Sequence, residues 1–261
     1  MRIALALEYA GTPFDGWQSQ TSGRGVQDAL ERALAEIADA PVRVHAAGRT
    51  DTGVHATSQI AHFDTDAARP DTAWVRGANA LLPPAVAVLW ARPVDGAFHA
   101  RYKATARHYT YVLMPRPVRA ALLAGRVGWY HRPLDVAAMR EAARSLVGTH
   151  DFSSFRAAEC QARSPVKTVS SVAVEADGDC IRLDFSADAF LHHMIRNVVG
   201  TLVYVGAGKA SPAWVAELVA ARDRPRAAPT FTPDGLYLTG ADYDAAWGLP
   251  PTRRPVRLAF A

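Results

Sequence analysis

Apolar residues recur along the chain with two different spacings, and each spacing predicts a different element. Ile3, Leu5 and Leu7 occupy every second position, which predicts a strand over residues 2–9 with one buried face. Over residues 26–37 the apolar positions instead recur every three to four residues, as on one face of a helix. The chain is therefore predicted to begin with a strand, a polar loop and a helix.

The same two spacings predict the remaining elements. The predicted strands are 42–47, 59–63, 86–94, 105–114, 166–175, 180–187 and 235–243, and the predicted helices are 71–82, 134–147, 190–205 and 211–221. Both halves mix strands and helices, with a seam near residue 100. We expect an α+β fold of two layered lobes with mainly antiparallel sheet, flanking helices and a basic central cleft. The lobes are assigned to 1–104 and 105–245, and 246–261 is expected to be a surface tail.

One polar stretch, GRTDTGVHA over residues 48–56, concentrates chemically useful side chains between two predicted strands. Asp51 lies between Arg49, whose charge would keep the acid ionised, and Gly53, which allows a ligand to approach the backbone. An ionised carboxylate on a loop between strands can act as a nucleophile or a base. The alternative is a tight turn in which the Asp only accepts backbone hydrogen bonds.

Composition narrows the class of protein. The chain has 261 residues, 49% of them hydrophobic, which is enough for one large domain or two. No apolar run reaches the roughly 18 residues of a membrane span, and Met1 leads directly into a predicted strand, so we expect a soluble, cytoplasmic protein. Cys160 and Cys180 have no CxxC spacing, so neither a disulfide framework nor a cysteine zinc site is indicated.

Positive charge is concentrated in one segment. The net charge is +4, yet residues 92–132 hold eight cations and a single acid, Asp95. The cations are Arg92, Arg101, Lys103, Arg107, Arg116, Arg119, Arg126 and Arg132, and the rings between them are Phe98, Tyr102, Tyr109, Tyr111, Trp129 and Tyr130. Cations that neutralise phosphates beside rings that stack on bases favour a nucleic-acid surface. A codon bias would explain the preference for Arg over Lys, but not the lack of acids.

Two predicted elements supply further candidates. In the strand 105–114, alternation places Arg107, Tyr109 and Tyr111 on one face, and we assign Tyr111 to the core and Tyr109 to a base. In the loop before the first helix, Phe14, Trp17 and Gln18 could contact a base, although rings in such a loop more often anchor it.

The predicted helix 190–205 carries one cation away from its apolar stripe. Arg196 lies about 120° from the centre of that stripe, so it either pairs with a carboxylate in a cleft or is solvated. The adjacent His192 and His193 do not face one point on a helix, and no HExxH motif is present, so we expect no metal site.

Five blocks in order resemble the bacterial tRNA pseudouridine synthase A family. They are the FDGWQSQ loop, GRTDTGVHA, FHARYKATARHYTY, DFSSFRAAECQARSP and FLHHMIRNVVG, and the resemblance extends from residue 11 to residue 243. One departure is Thr52, where the family usually has Ala. The resemblance implies RRM-like, ferredoxin-like lobes of the pseudouridine synthase fold, and a homodimer that needs no cofactor. Its implied activity is conversion of uridine to pseudouridine on the 3′ side of the tRNA anticodon arm (positions 38, 39 and/or 40).

The resemblance also implies roles for individual residues. Asp51 would be the catalytic aspartate, Tyr109 the ring that stacks on the target uracil, and Arg196 the ion partner of Asp51. Apart from the resemblance, we assign Arg49 and Arg107 to substrate binding; Arg49 and Arg196 would hold the acid ionised and oriented, or one of the two could bind a phosphate instead. The chemistry fits, because departure of the base leaves oxocarbenium character on the sugar. A carboxylate can stabilise that charge, trap it covalently or remove a proton.

Two other classes of protein remain as alternatives. The DTG sequence that begins at Asp51 is also the signature of aspartic proteases, but a single-chain protease needs a second copy and none is present. A non-catalytic RNA-binding protein with RRM-like lobes would account for the basic segment, but would leave the acid at residue 51 without a purpose.

Overall fold

The computed structural model describes residues 1–258 as a mixed α+β chain. Its strands are β1 (Arg2–Tyr9), β2 (Val44–Ala46), β3 (His55–Asp64), β4 (Val86–Val94), β5 (Ala106–Pro115), β6 (Gly128–Tyr130), β7 (Gly148–Asp151), β8 (Val166–Asp177), β9 (Cys180–Ala187) and β10 (Leu236–Asp242). Its α-helices are α1 (Val26–Ala38), α2 (Ala78–Leu81), α3 (Val136–Ala143), α4 (Met194–Gly206) and α5 (Trp214–Ala221). The predicted α+β class with mainly antiparallel sheet is confirmed.

Several predicted bounds were wrong, each for a local reason. The predicted helix 190–205 begins four residues late, because His193 adopts a left-handed conformation with φ of 60° just before Met194. The predicted helix 71–82 is confirmed as continuous helical structure over residues 71–81, of which Ala73–Gly77 is a π-helical segment and α2 is the last turn. Strands β6 and β7, of three and four residues, were missed because so short a segment shows no alternation.

Contacts divide the chain into two compact units. The first contains residues 1–107 and the chain from Tyr237 onward, and its sheet has the order β4-β1-β3-β10 with β2 also paired to β3. All of these pairings are antiparallel except that of β3 with β10. The predicted lobe limits at residues 104 and 245 stay predictions.

The second unit contains residues 108–236. Its sheet has the order β5-β9-β8-β7, with β6 paired in parallel to β5. The pairs β7–β8 and β8–β9 are antiparallel. Helix α3 packs against both β8 and α4, which places the apolar stripe of α4 in the core of this unit.

Strand β1 is buried on both faces, and the predicted solvent face was wrong. It lies between β3 and β4, and its second face carries Ala4 and Ala6, both fully buried. Phe98 and Trp247 pack in the cluster that covers these alanines. Small side chains there leave room for the large rings, so the alanines belong to a second apolar layer.

The C-terminal segment belongs to the first unit and makes specific contacts within it. Trp247 adopts an edge-to-face contact with Phe98 at 5.4 Å. Further along, Arg254 forms an ion pair with Glu8 at 2.9 Å, and its amide donates to the carbonyl of Thr239. The surface tail assigned to 246–261 stays a prediction, and residues 259–261 lie outside the described residues. No helix within residues 1–258 has the length and apolar content needed to cross a membrane.

Candidate active site

The loop that carries Asp51 is fixed by hydrogen bonds on either side of Arg49. The carbonyl of Gly48 accepts from Nε2 of Gln59 at 2.6 Å. The Thr50 hydroxyl pairs with the Tyr9 hydroxyl at 2.8 Å, in a fully buried contact. Burial raises the pKa of Tyr9, so its hydroxyl stays protonated and neutral. These contacts give the acid a backbone of defined position.

Asp51 itself opens a tight turn. The amide of Val54 donates back to the Asp51 carbonyl at 3.1 Å, and Gly53 supplies the positive φ of 80° that the turn requires. The Asp51 side chain is half-buried. The sequence therefore predicted correctly a carboxylate held on a loop between strands.

The polar loop before α1 lies directly against this turn. The amide of Trp17 donates to the Thr50 carbonyl at 2.9 Å. A Cβ on Gly16, whose φ is 97°, would lie 2.8 Å from the same carbonyl oxygen, and a Cβ on Gly11 would lie 2.0 Å from the Val54 oxygen. Only glycine permits so close an approach. Trp17 and Phe14 are buried, which confirms that the rings anchor the loop.

The histidine of the motif has a structural role. His55 is 1% exposed and begins β3, whereas the sequence had placed residues 55 and 56 in the loop. Its Nδ1 accepts a hydrogen bond from the Gly11 amide at 3.0 Å, and its ring stacks on Tyr237 at 4.7 Å. The ring thus joins the glycine loop to β10.

The two arginines predicted near the substrate have different surroundings. Arg49 is exposed, and the expectation that it acts on the acid at residue 51 stays a prediction. Arg107 is half-buried, and its guanidinium donates to the carbonyls of Ala47 at 3.3 Å, Arg101 at 2.5 Å and Ala104 at 3.1 Å. Arg107 therefore stabilises the backbone beside the motif loop.

Two tyrosines of β5, Tyr109 and Tyr111, pack against residues of the second unit. Tyr111 is fully buried and its hydroxyl donates to the Thr232 carbonyl at 3.0 Å, which confirms its assignment to the core. Tyr109 is 9% exposed, and the Phe190 ring contacts it edge to face at 5.3 Å. Phe190 holds the Tyr109 ring without covering it in a parallel stack.

Arg196 lies in the first turn of α4 and is half-buried. Its Nε donates to the Phe231 carbonyl at 2.9 Å, and the Phe231 amide donates to the Arg196 carbonyl at 3.2 Å. The side chain is therefore not simply solvated, and its pairing with a carboxylate stays a prediction.

Asn197 is a functional candidate that the sequence analysis missed. It is fully buried, and its Nδ2 donates to the Phe155 carbonyl at 2.8 Å. Its Oδ1 accepts from the Thr230 hydroxyl at 2.7 Å and from the Arg224 guanidinium at 3.0 Å. An Asn inside an apolar helix was the available signal, because a buried amide must find partners. The side chain ties the segment that contains Phe231 to α4.

The basic segment is largely on the surface. Of its eight cations, all except Arg107 have exposed side chains. Exposed cations are accessible to phosphates, as the predicted nucleic-acid surface requires.

Comparison with known proteins found one matching family model and several full-length relatives. The family model described as tRNA pseudouridine synthase matches residues 5–103 and 142–244. A protein of Methylobacillus flagellatus named tRNA pseudouridine synthase A is 58% identical over 261 residues, 100% of both chains. One of the same name from Chromobacterium violaceum is 62% identical over 260 residues, 99% of both chains. A third, from Aromatoleum aromaticum, is 60% identical over 250 residues, covering 96% of this chain and 95% of its own.

A solved structure is a much more distant match. A chain from the crystal structure of a Cbf5-Nop10-Gar1 complex is 10% identical, with a TM-score of 0.36, and the match covers 90% of this chain and 48% of the other. A likeness this weak does not bear on function. The family model and the full-length relatives decide the matter, and the chain belongs to the tRNA pseudouridine synthase family.

Proposed function

We propose that this protein converts uridine to pseudouridine on the 3′ side of the anticodon arm of tRNA. The observation that carries the proposal is the match, over 99 to 100% of the chain, to relatives named tRNA pseudouridine synthase A. The GRTDTGVHA loop agrees with it, because hydrogen bonds at Gly48, Thr50 and the Asp51 carbonyl fix the backbone that carries the acid.

The reaction is redox-neutral and is balanced within one nucleotide. The bond between N1 of uracil and C1′ of the ribose breaks, the base turns while it is retained, and a bond forms between C5 and C1′. The hydrogen at C5 leaves as a proton, and N1 gains one. The chain must therefore bind an extruded uridine, hold the free base and act on the sugar.

Asp51 is proposed to act on the sugar. Loss of the base leaves positive character at C1′, and a carboxylate beside it lowers the barrier by charge stabilisation or covalent capture. Hydrogen bonds at Gly48 and Thr50 fix the backbone beside the acid. Less conformational entropy is therefore lost when the transition state forms.

The remaining roles follow the family resemblance. Tyr109 is proposed to stack on the uracil, which offsets part of the few kcal/mol that extrusion costs. Arg196 is proposed as the ion partner of Asp51, and exposed Arg49 as a phosphate contact. For Arg107 the three backbone carbonyls it binds favour an indirect part in substrate binding, through the turn it supports.

Release of tritium tests this activity directly. tRNA labelled at C5 of uridine should lose label to water when the purified protein is added, because the new glycosidic bond replaces the C5–H bond. Asp51→Ala should abolish release, whereas the matched control Asp66→Ala, at an exposed acid in the same unit, should retain it. Persistent release by Asp51→Ala would refute the catalytic assignment, and no release by the wild type would refute the function.

We also propose that the protein acts in the cytoplasm as a homodimer, as the resemblance implies. Analytical ultracentrifugation at micromolar concentration should give twice the mass of the 28.1 kDa chain. A monomer at that concentration would contradict the dimer and would leave the activity untouched.

A further inference from the structure

An exposed tyrosine stands on a turn just after the core ring Phe98. Tyr102 is 74% exposed, among the highest values for a large side chain in the described residues. Its ring packs on the His99 ring with centroids 4.2 Å apart, and the Arg101 guanidinium lies 5.7 Å from its centroid. One face of the ring is thus supported from below, and the side chain still projects into solvent.

The backbone amides of this turn are bound by two histidines. The Ala100 amide donates to Nδ1 of His62 at 3.2 Å. The amides of Arg101 and Tyr102 both donate to Nδ1 of His99, at 3.1 and 3.4 Å. The turn is therefore ordered up to the residue that carries the exposed ring.

The carbonyls of the turn are bound as well. The Tyr243 hydroxyl donates to the Ala100 carbonyl at 2.6 Å. Arg107 donates to the carbonyls of Arg101 and Ala104, and also to that of Ala47, the residue just before the GRTDTGVHA loop. One guanidinium thus connects the Tyr102 turn to the loop that carries the proposed catalytic acid.

The histidines under the ring do not suit a metal. In His62 and His99 the Nδ1 atom accepts from a backbone amide, so the proton of each neutral ring is on Nε2. A protonated Nε2 has no lone pair for a cation. The cluster is better explained as support for the turn.

We propose that Tyr102 is a platform on which an RNA base other than the target uridine stacks, with Arg101 and Lys103 neutralising the adjacent phosphates. The chemistry favours RNA because both neighbours are exposed cations, and Asp95 is the only acid between residues 92 and 132. A large ring held in place before binding loses little conformational freedom when a base stacks on it. This inference rests on the proposed function, since it takes tRNA as the ligand.

Equilibrium binding of unlabelled tRNA tests the platform. Tyr102→Ala should weaken affinity about tenfold, in line with the loss of one stacked base. Tyr102→Phe should bind within twofold of wild type, and Tyr102→Leu should resemble Tyr102→Ala because it is apolar without a π face. Leu122→Ala, at a side chain that is 92% exposed, is the control for loss of an exposed apolar group and should leave affinity unchanged.

The salt dependence of tRNA affinity distinguishes the contribution of the Tyr102 ring from that of the neighbouring cations. Arg101→Ala should reduce the slope of log affinity against log salt by about one unit, whereas Tyr102→Ala should leave the slope unchanged.

Ultraviolet cross-linking of wild type to tRNA should attach a nucleotide to the peptide that contains Tyr102. If Tyr102→Ala binds tRNA as wild type does, or no cross-link forms there, the platform is refuted while the isomerase activity stands. If wild type neither binds tRNA nor releases tritium, the proposed function itself is refuted, and the Tyr102 proposal with it.

Discussion

Nε of Arg196 and the carbonyl of Phe231 are 2.9 Å apart, and the Phe231 amide returns a hydrogen bond to the Arg196 carbonyl at 3.2 Å. The first bond holds the planar guanidinium through its Nε, and the second holds the backbone of the same residue against Phe231. Asn197, the next residue of α4, holds the same segment through the Thr230 hydroxyl at 2.7 Å. The position of Arg196 thus depends on hydrogen bonds to the segment around Phe231 and not on the helix alone.

Removing the Thr230 hydroxyl should impair Arg196 indirectly. Thr230→Val takes away a donor to Asn197 while keeping the shape of the side chain, and should lower kcat about tenfold with KM within twofold, since the arginine is proposed to act in catalysis. Thr230→Ser should restore the rate. Thr72→Val, at an exposed threonine whose side chain makes no capping bond, is the control.

A double-mutant cycle shows whether Thr230 acts through Arg196. In an Arg196→Lys background the Nε donor is already lost, so Thr230→Val should cost little more. Fully additive losses in log kcat would show that Thr230 acts independently of Arg196.

Gly16→Ala should disturb the Asp51 loop. The new Cβ would lie 2.8 Å from the Thr50 carbonyl, at a φ of 97° that L residues avoid. We expect a loss of roughly 2 to 3 kcal/mol in the free energy of unfolding and a lower kcat. Gly23→Ala is the matched control, because its φ is also positive, at 64°, but no atom lies within 4 Å of the added Cβ. Equal losses in both variants, measured by urea unfolding, would contradict the close-contact explanation.

Stability should fall on mild acidification because of His62. Burial, with the nearby positive charges of His99, Arg2 and His45, lowers the pKa of His62 from 6.5 to about 3, although Asp64 opposes the shift. Between these values the unfolded chain binds a proton that the folded chain does not, so the contribution is full above pH 6.5 and is lost as pH falls toward 3. At pH 5 the loss is on the order of 1 to 2 kcal/mol.

The free energy of unfolding of His62→Asn, measured at pH 7.5 and pH 5, checks this assignment. Asn does not titrate, so the variant should show a smaller difference between the two pH values than wild type, whatever its absolute stability. An unchanged difference would assign the acid sensitivity to other groups.

Tyr109 should act through its ring. Tyr109→Phe should retain most tRNA binding because the stacking surface is preserved, whereas Tyr109→Ala should lose it. Filter binding with the two variants measures the effect. A collapse of binding in Tyr109→Phe would show that the hydroxyl matters more than the ring.

The sequence went far in predicting the elements and the acid-bearing loop. Alternation identified β1 and helical spacing identified α1, because both patterns are local. Tyr111 was placed in the core correctly. The predicted start of α4 was wrong. His193 adopts a left-handed backbone conformation, which the spacing of apolar residues does not reveal.

What the sequence determined by itself is what a single segment encodes: the strands and helices, the glycine turn at Asp51 and the basic segment. What only the tertiary structure decided are contacts between segments far apart in the chain. It placed Trp247 and Phe98 over the alanines of β1, and it gave Arg107 the carbonyls of a turn and of the motif loop. Such pairings depend on which surfaces fit together after folding. The spacing of apolar residues within one segment carries no information about that fit.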